Sequence, residues 1–492
     1  MTGYEELRLR HVRDAMAAAG ELIGRLDWPS ARLAAHRGAE LRRLVRTAQT
    51  ASPWHRKRLQ HVDPDSLDEA SLAALPTMTK DDLMANFDEI VTDDRLRLDV
   101  VEDHLERLTG ADAYLLDRYH AGASSGSTGR RGVFVYDWDG WITVYLGVLR
   151  QLLRELAAWP TAAHPPLVAT VASGTATHIF YSATQTFSTP QLATRPFAVT
   201  QPVPEIIAGL GDCQPDLLFG YTSALHALSR EARAGRLRIA PRFVIAGSEP
   251  LLPEIRAELE QAWDVPVLNY YACSEAGAVA ISCHRGGDGL HLADDLLIVE
   301  PVTSSGQPVP PGGRADKIYL TNLFNHTLPL IRYEITDEVT LLDGPCRCGS
   351  GQRLIADPQG RLDDTFGYGQ IAVHPHVFRS PLSRRRSIVE YQVRQTARGA
   401  TITVVCDGPA DLPGLEAELV TQLTELGVPT PQVSVTPAAS IERQATGKLR
   451  RFVSLPAAAA TRCPSGQTWS KTTTAASFTS PTAKTPENRE SP

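Results

Sequence analysis

Apolar positions recur at helical spacing through the first part of the chain. Leu7, Val12, Ala15, Ala19 and Leu22 mark one face of a helix over 4–24. Leu33, Leu41, Leu44 and Val45 mark a second over 31–50. The arginines of that second helix (Arg32, Arg37, Arg42, Arg43, Arg46) are expected to form a solvated face rather than a binding patch. Pro53-Trp54 breaks the pattern. Residues 64–80 read as turn, short helix and turn, and Leu83, Met84, Phe87 and Ile90 resume the helical spacing.

Beyond residue 132 the pattern changes. Val133–Tyr136 is strand-like, and Trp138–Trp159 predicts a long, mostly apolar helix packed on a sheet. Short apolar runs at Leu167–Val171, Leu217–Tyr221, Arg242–Ala246 and Val267–Tyr271 then alternate with helical stretches at Glu205–Gly211, Ala224–Ala234 and Pro253–Trp263. Strands alternating with helices predict an α/β fold with a largely parallel sheet. From about residue 290, β-like runs (Leu296–Glu300, Asp316–Asn322, Glu338–Leu342) separated by Pro- and Gly-rich turns predict a mainly antiparallel subdomain. A turn-rich stretch over 358–370 marks a boundary. Strands at Ile388–Gln395, Thr401–Cys406 and Gln432–Thr436 and a helix at Leu412–Leu426 follow it.

The expected fold class is therefore α/β. A large multi-layer N-terminal domain over 1–360 has mainly parallel sheets plus a β-rich subdomain. A small mobile α+β C-terminal domain follows over 361–456. Residues 457–492 are rich in Ala, Ser, Thr, Pro and Lys, cannot bury enough apolar surface to offset ordering entropy, and are expected to be disordered.

Composition narrows the function classes. The chain has 492 residues, 42% hydrophobic and 21% charged, with a net charge of −7. That balance gives no electrostatic case for nucleic acid or an anionic membrane as partner. The seven cysteines are odd in number and absent from the first 212 residues, unlike a secreted disulfide framework. No signal-peptide core is present, and no apolar run approaches the roughly 18–20 residues needed to span a bilayer. A cytoplasmic location is expected.

Candidate chemistry centres on residues 121–132, Ala-Gly-Ala-Ser-Ser-Gly-Ser-Thr-Gly-Arg-Arg-Gly. Glycines let backbone N–H groups converge on an anion, and Ser and Thr hydroxyls add donors, so the loop suits a polyphosphate. It is not a GxxxxGK[S/T] loop, because no Lys-Ser/Thr pair follows its last glycine. Five further stretches come after it: Ala246–Pro250; Asn-Tyr-Tyr-Ala-Cys-Ser-Glu at 269–275; Pro329–Asp337; Gly-Arg-Leu-Asp-Asp at 360–364; and Thr-Gly-Lys-Leu-Arg-Arg at 446–451. The first two end β-like runs, where ligands of parallel sheets gather.

In this order and at these spacings, the stretches resemble the adenylate-forming acyl ligase superfamily, and within it the phenylacetate–CoA ligase-like family. The resemblance runs from about residue 60 to 455. It implies ATP-dependent activation of a carboxylic acid, aryl or arylacetic by preference, to acyl-AMP, then transfer to coenzyme A. A carrier-protein thiol or an amine is the alternative acceptor. A non-catalytic nucleotide-binding protein on the same fold is the reading from another class. It implies ATP, Mg²⁺ and coenzyme A as cofactors, and a homodimer is compatible with it. By the same resemblance Ser124, Ser125, Gly126, Ser127, Thr128 and Gly129 hold the β- and γ-phosphates. Gly247, Ser248 and Glu249 line the adenine pocket, Tyr271 packs on the base, and Ser274 stands beside them. Glu275 helps hold Mg²⁺, Asp337 accepts the ribose hydroxyls, Arg361 contacts the nucleotide near the hinge at Asp363-Asp364, and Lys448 reaches the reacting groups during adenylation. The chain departs from the family in Arg130-Arg131, Ala272, and Glu334-Ile335, where Arg-Thr is usual.

A metal site is a separate candidate. Cys346-Arg347-Cys348 is a compact thiol pair, and Cys283, His284 and His291 come earlier. Tetrahedral zinc takes such ligands. Cys283, Cys346 and Cys348 supply three, and His284 or His291, with His291 preferred, the fourth. A structural role is favoured over a catalytic one.

Overall fold

The computed structural model describes residues 3–108, 111–124, 132–157, 165–283, 289–358, 366–369, 371–373, 375–383, 385, 387–443 and 449–455. Residues 1–454 form one compact unit, and 455–492 a second of which only Leu455 is described.

In chain order, helices α1 (Gly3–Gly24) and α2 (Ser30–Ala51) open the chain. The hairpin β1 (His120–Ala123) and β2 (Val133–Tyr136) leads into the long helix α3 (Trp138–Ala157). An alternating stretch follows: β3 (Leu167–Ala172), α4 (Ile179–Phe187), β4 (Ala193–Ala198), α5 (Val203–Cys213), β5 (Leu217–Tyr221), α6 (Thr222–Arg233), β6 (Phe243–Gly247), α7 (Pro253–Trp263) and β7 (Val267–Cys273). Then come β8 (Gly277–Ser282), β9 (Leu290–Leu292), β10 (Leu297–Val302), β11 (Lys317–Asn322), β12 (Tyr333–Ile335) and β13 (Leu354–Ile355). The last part holds α8 (His376–Ser383), β14 (Ile388–Thr396), β15 (Gly399–Cys406), α9 (Leu412–Glu425), β16 (Gln432–Pro437) and β17 (Phe452–Val453).

The main sheet has eight strands in the order β13-β9-β8-β7-β6-β5-β3-β4. The run from β4 to β7 is parallel, and β8, β9 and β13 extend it antiparallel. Both faces of the parallel part are covered, which is why its strands read as continuous apolar runs. On one face, Ile206, Leu210, Leu225 and Leu259 of α5, α6 and α7 pack on Ala169, Leu218 and Val244. On the other, Leu152 of α3 meets Val168 and Leu217, and Val148 and Phe180 pack on Phe219, Ile245 and Tyr270. Arg150 anchors α3 from below. Its guanidinium makes two bonds of 2.6 and 2.7 Å to the fully buried Asp295 carboxylate. Burial raises the Asp295 pKa, but Arg150 outweighs it and holds the carboxyl below its usual range.

The antiparallel subdomain is present, with a shift. β10, β11 and β12 form a three-stranded sheet. The expected strand over Glu338–Leu342 shortens to Val339-Thr340, paired with Arg314-Ala315. A separate four-stranded sheet, β16-β15-β14-β17, carries its own core of Phe366, Phe378, Leu415, Leu419 and Phe452. β17 was not expected. β4 was not expected either: it lies at the sheet edge, where Pro196 costs no ladder bond, and its Arg195 and Pro196 are exposed.

The arginine face of α2 is only partly solvated. Arg37 is buried, ion-paired with Glu69 and bonded to the Asp294 carbonyl at 3.3 Å. Among the described residues no helix is long and apolar enough to cross a membrane.

Candidate active site

The carboxyl edge of the parallel sheet gathers most of the described candidates. β6 runs out at Gly247, where an added Cβ would come within 3.1 Å of the Tyr270 carbonyl on β7. Ser248 follows at φ 65°, a left-handed conformation that side-chain-bearing residues seldom adopt and that clusters at functional sites. On β7, Tyr271 donates its hydroxyl to Asp337 Oδ2 at 2.8 Å. Both residues are buried, as is Glu275 in the turn after β7. That turn is held from two sides. Tyr136 Oη donates to the Ser274 carbonyl at 2.7 Å, and Asn322 Nδ2 to the Glu275 carbonyl at 3.0 Å. Ser248 and Ser274 line one cavity between α3, α4 and the strand ends. Burial first, then the Glu275 and Asp337 carboxylates, push the Cys273 thiol well above its ordinary pKa.

The candidate loop over 121–132 is described only at its neck. Ser124 N donates to the Gly132 carbonyl at 2.9 Å and Gly132 N to Ser124 Oγ at 2.9 Å, so the loop leaves and re-enters on the β1–β2 hairpin. Ser125, Gly126, Ser127, Thr128 and Gly129 lie outside the described residues, as do His284, Arg361, Asp363, Asp364 and Lys448.

Glu249 is in the same stretch but faces elsewhere. Its Oε2 accepts from Ser223 N at 2.8 Å at the start of α6, and its Oε1 accepts from Ser223 Oγ at 3.1 Å and from Leu449 N at 2.9 Å. Arg443 adds a bond to Ser223 Oγ at 2.8 Å and pairs with Glu390 on β14. Leu449 is the residue after Lys448, so one carboxylate holds the chain a single peptide from that lysine.

The four metal candidates converge from three elements. Cys283 follows β8, His291 is on β9, and Cys346 and Cys348 lie in the loop before β13. Their ligand atoms all lie within 4.8 Å of one another. Cys346 Sγ and Cys283 Sγ are 3.6 Å apart, and Cys348 Sγ and His291 Nε2 3.4 Å. A tetrahedron with Zn–S of about 2.3 Å and Zn–N of about 2.0–2.1 Å has edges of about 3.8 and 3.6 Å, so the donors stand at zinc spacing. The sulfur separation is far beyond a disulfide bond, and the three cysteines are not in disulfides.

Several supporting residues escaped the sequence reading. Asn322, Asn325 and Thr327 are buried. Asn325 Nδ2 bonds the Val135 carbonyl at 3.0 Å, and Thr327 Oγ1 bonds Asp137 at 3.0 Å, so this segment ties the loop-bearing hairpin to the Glu275 turn. The signal was there in Asn-Leu-Phe-Asn-His-Thr, small polar residues set in an apolar run. Ser223 and Arg443 had none, because their meaning depends on a contact across 220 positions.

No family model matches the chain. In fold, a crystal structure of 2-hydroxyisobutyryl-CoA ligase, in the postadenylation state in complex with R3-HIB-AMP, superposes on the chain with a TM-score of 0.69, 18% identity, and 87% of this chain and 91% of that one covered. The chain shares the fold of that ligase. In sequence it is similar to phenylacetate-coenzyme A ligases. That of Pseudomonas putida is 32% identical over 174 residues and that of Thermus thermophilus 26% over 170. Each alignment covers 33% of this chain and 38% of the relative. The sequence match thus spans well under half of those relatives, while the fold match spans nearly all of both chains.

Proposed function

We propose that this chain activates a carboxylic acid with ATP and passes the acyl group to coenzyme A. The single observation that carries this is the convergence of Ser248, Tyr271, Ser274, Glu275 and Asp337 at one sheet edge beside a cavity of mixed polar and apolar lining. A carboxylate oxygen of the acid attacks the α-phosphorus of ATP, pyrophosphate leaves, and acyl-AMP forms. The coenzyme A sulfur then attacks the acyl carbon, AMP leaves, and the thiol proton goes to solvent. Asp337, oriented by the Tyr271 hydroxyl, receives the ribose. Glu275 is the carboxylate suited to Mg²⁺, which takes one or two carboxylates plus substrate phosphates and would neutralise charge on the departing pyrophosphate. Lys448 stabilises charge at the α-phosphate. Acid-dependent pyrophosphate release tests the first half-reaction. A carrier-protein thiol or an amine as acceptor would show the same release without acceleration by coenzyme A.

We also propose that residues 361–456 act as a lid over this edge, with Glu249 as the contact that holds the Lys448 segment for the first half-reaction. The Glu249–Leu449 and Arg443–Ser223 bonds support it. A hydrogen bond to a charged group is worth about 1.5–3 kcal/mol. Glu249→Ala is therefore expected to lower the ratio of acyl-AMP formation to acyl transfer from preformed acyl-AMP by about 10- to 100-fold. Single-turnover assays of the two halves read that ratio, and an equal loss in both would remove Glu249 from this role.

The Cys283, His291, Cys346 and Cys348 cluster is proposed as a structural zinc site. Three thiolates and an imidazole suit zinc over the harder cations.

A further inference from the structure

A carboxylate that the proposed mechanism does not use is buried next to the first residue of the loop-bearing hairpin. Asp112 is 6% exposed and accepts from side chains on three elements. His120 Nδ1, at the start of β1, donates to its Oδ1 at 3.2 Å, and Ser182 Oγ of α4 donates to the same oxygen. Thr186 Oγ1 of α4 donates to Oδ2 at 2.5 Å, and Tyr4 Oη of α1 to the same oxygen at 3.2 Å. Trp141 Nε1 of α3 donates to Thr186 Oγ1 at 3.1 Å and brings in a fourth element. Burial acts to raise the Asp112 pKa, but His120 and the Ser182 and Thr186 hydroxyls outweigh it and hold the carboxyl below its usual range. The two elements that Asp112 joins, β1 and α4, meet again at their other ends. Ala123 N, at the end of β1, donates to the Thr177 carbonyl at 2.9 Å, and an added Cβ at Gly122 would lie 2.2 Å from Ile179 Cγ1. From that end β1 runs into the 121–132 loop, while His178, Ile179, Phe180 and Ala183 at the start of α4 line the cavity beside Ser248 and Ser274.

We infer that Asp112 is a positioning residue for adenylation: by fastening β1 to α4 it sets the spacing between the polyphosphate loop and the acid cavity, and so the approach of the acid carboxylate to the α-phosphorus. This rests on the ligase reading above and deepens it. Bonded at both ends, β1 and α4 cannot slide past one another. With the Asp112 end released, they are free to pivot about the Ala123–Thr177 bond. An apolar filler at position 112 would occupy the space without fixing a direction, whereas a carboxylate with directional donors on α1, α4 and β1 fixes their relative orientation. Such a role shows in rate rather than in affinity. A shift of about 1 Å between two subsites costs about 100-fold in bond formation, while each subsite keeps its own contacts.

The test compares two half-reactions of the full chain in single turnover, using the fastest acid of a panel of aryl, arylacetic and aliphatic acids. Asp112→Asn keeps the size of the side chain and removes its charge. Acyl-AMP formation at saturating ATP and acid is expected to fall by about 10- to 100-fold, with ATP affinity, read by calorimetry, changed less than about threefold. Acyl transfer to coenzyme A from preformed acyl-AMP needs no bond at the α-phosphorus to form, so it should also change less than about threefold. A merely structural loss would lower both half-reactions in step. If Asp112→Asn does not fold, Ser182→Ala, which removes a single bond on the α4 side, carries the test with the same split at about threefold or more. In whichever variant is read, equal losses in the two half-reactions, or adenylation at the wild-type rate, would overturn the inference. Wild-type protein that forms acyl-AMP from no acid of the panel would overturn the ligase reading, and leave Asp112 nothing to position.

Discussion

Replacing Lys448 by alanine is expected to lower acyl-AMP formation by about 10²–10³-fold, the cost of removing one preorganised group from the site of developing charge. The attacking carboxylate and the α-phosphate are both anionic, and a cation between them offsets a repulsion that no other side chain in the 446–451 segment is placed by motif to relieve. Coenzyme A thioester formation from preformed acyl-AMP should fall far less, since that step expels AMP and brings in no second anion at the α-phosphorus. Lys448→Arg separates charge from position: a longer, planar guanidinium keeps the charge but not the point geometry. Single-turnover formation of acyl-AMP checks both variants. A Lys448→Ala enzyme that adenylates at the wild-type rate would remove Lys448 from the mechanism.

Loss of the Cys283–His291–Cys346–Cys348 site is expected to have the largest effect on stability. The purified protein should carry about one zinc per chain, released by a strong chelator. Cys348→Ser or His291→Ala should lose the metal and destabilise the chain by about 3 kcal/mol, a large value of the kind tied to a lost metal. The reason is geometric. The four ligands join the β8–β9 turn to the loop before β13, and Leu354 of β13 pairs with His291 itself. That loop also supports the N-terminal region, because an added Cβ at Gly351 would sit 2.5 Å from the Trp28 carbonyl. Elemental analysis and thermal unfolding with and without chelator check the claim. A metal-free preparation with unaltered melting after zinc addition would contradict it.

The parts of this protein that were legible in the sequence share a physical cause. Strands such as Leu217–Tyr221 are buried on both faces and so announce themselves as short apolar runs. The candidate metal ligands stood out because cysteine is scarce and Cys346-Arg347-Cys348 is compact. Tyr271 and Asp337 were each identified separately, and the structure joins them by one hydrogen bond. Illegible features depend on partners distant in sequence or on an edge environment. Arg37 looked solvated until Glu69 and Asp294 appeared beside it. Glu249 sits in the expected stretch, yet its carboxylate serves Ser223 and Leu449. Glu334 pairs with Lys317 on the neighbouring strand, 2.6 Å from its carboxylate, a partner the sequence did not announce.

The central claim is tested most directly by pyrophosphate release from ATP and Mg²⁺ with a panel of straight-chain, arylacetic and aryl-alkanoic acids, each with and without coenzyme A. The account predicts release that requires an acid and accelerates when coenzyme A is added. Measurable ATP binding with no acid-dependent release from any member of the panel would contradict it.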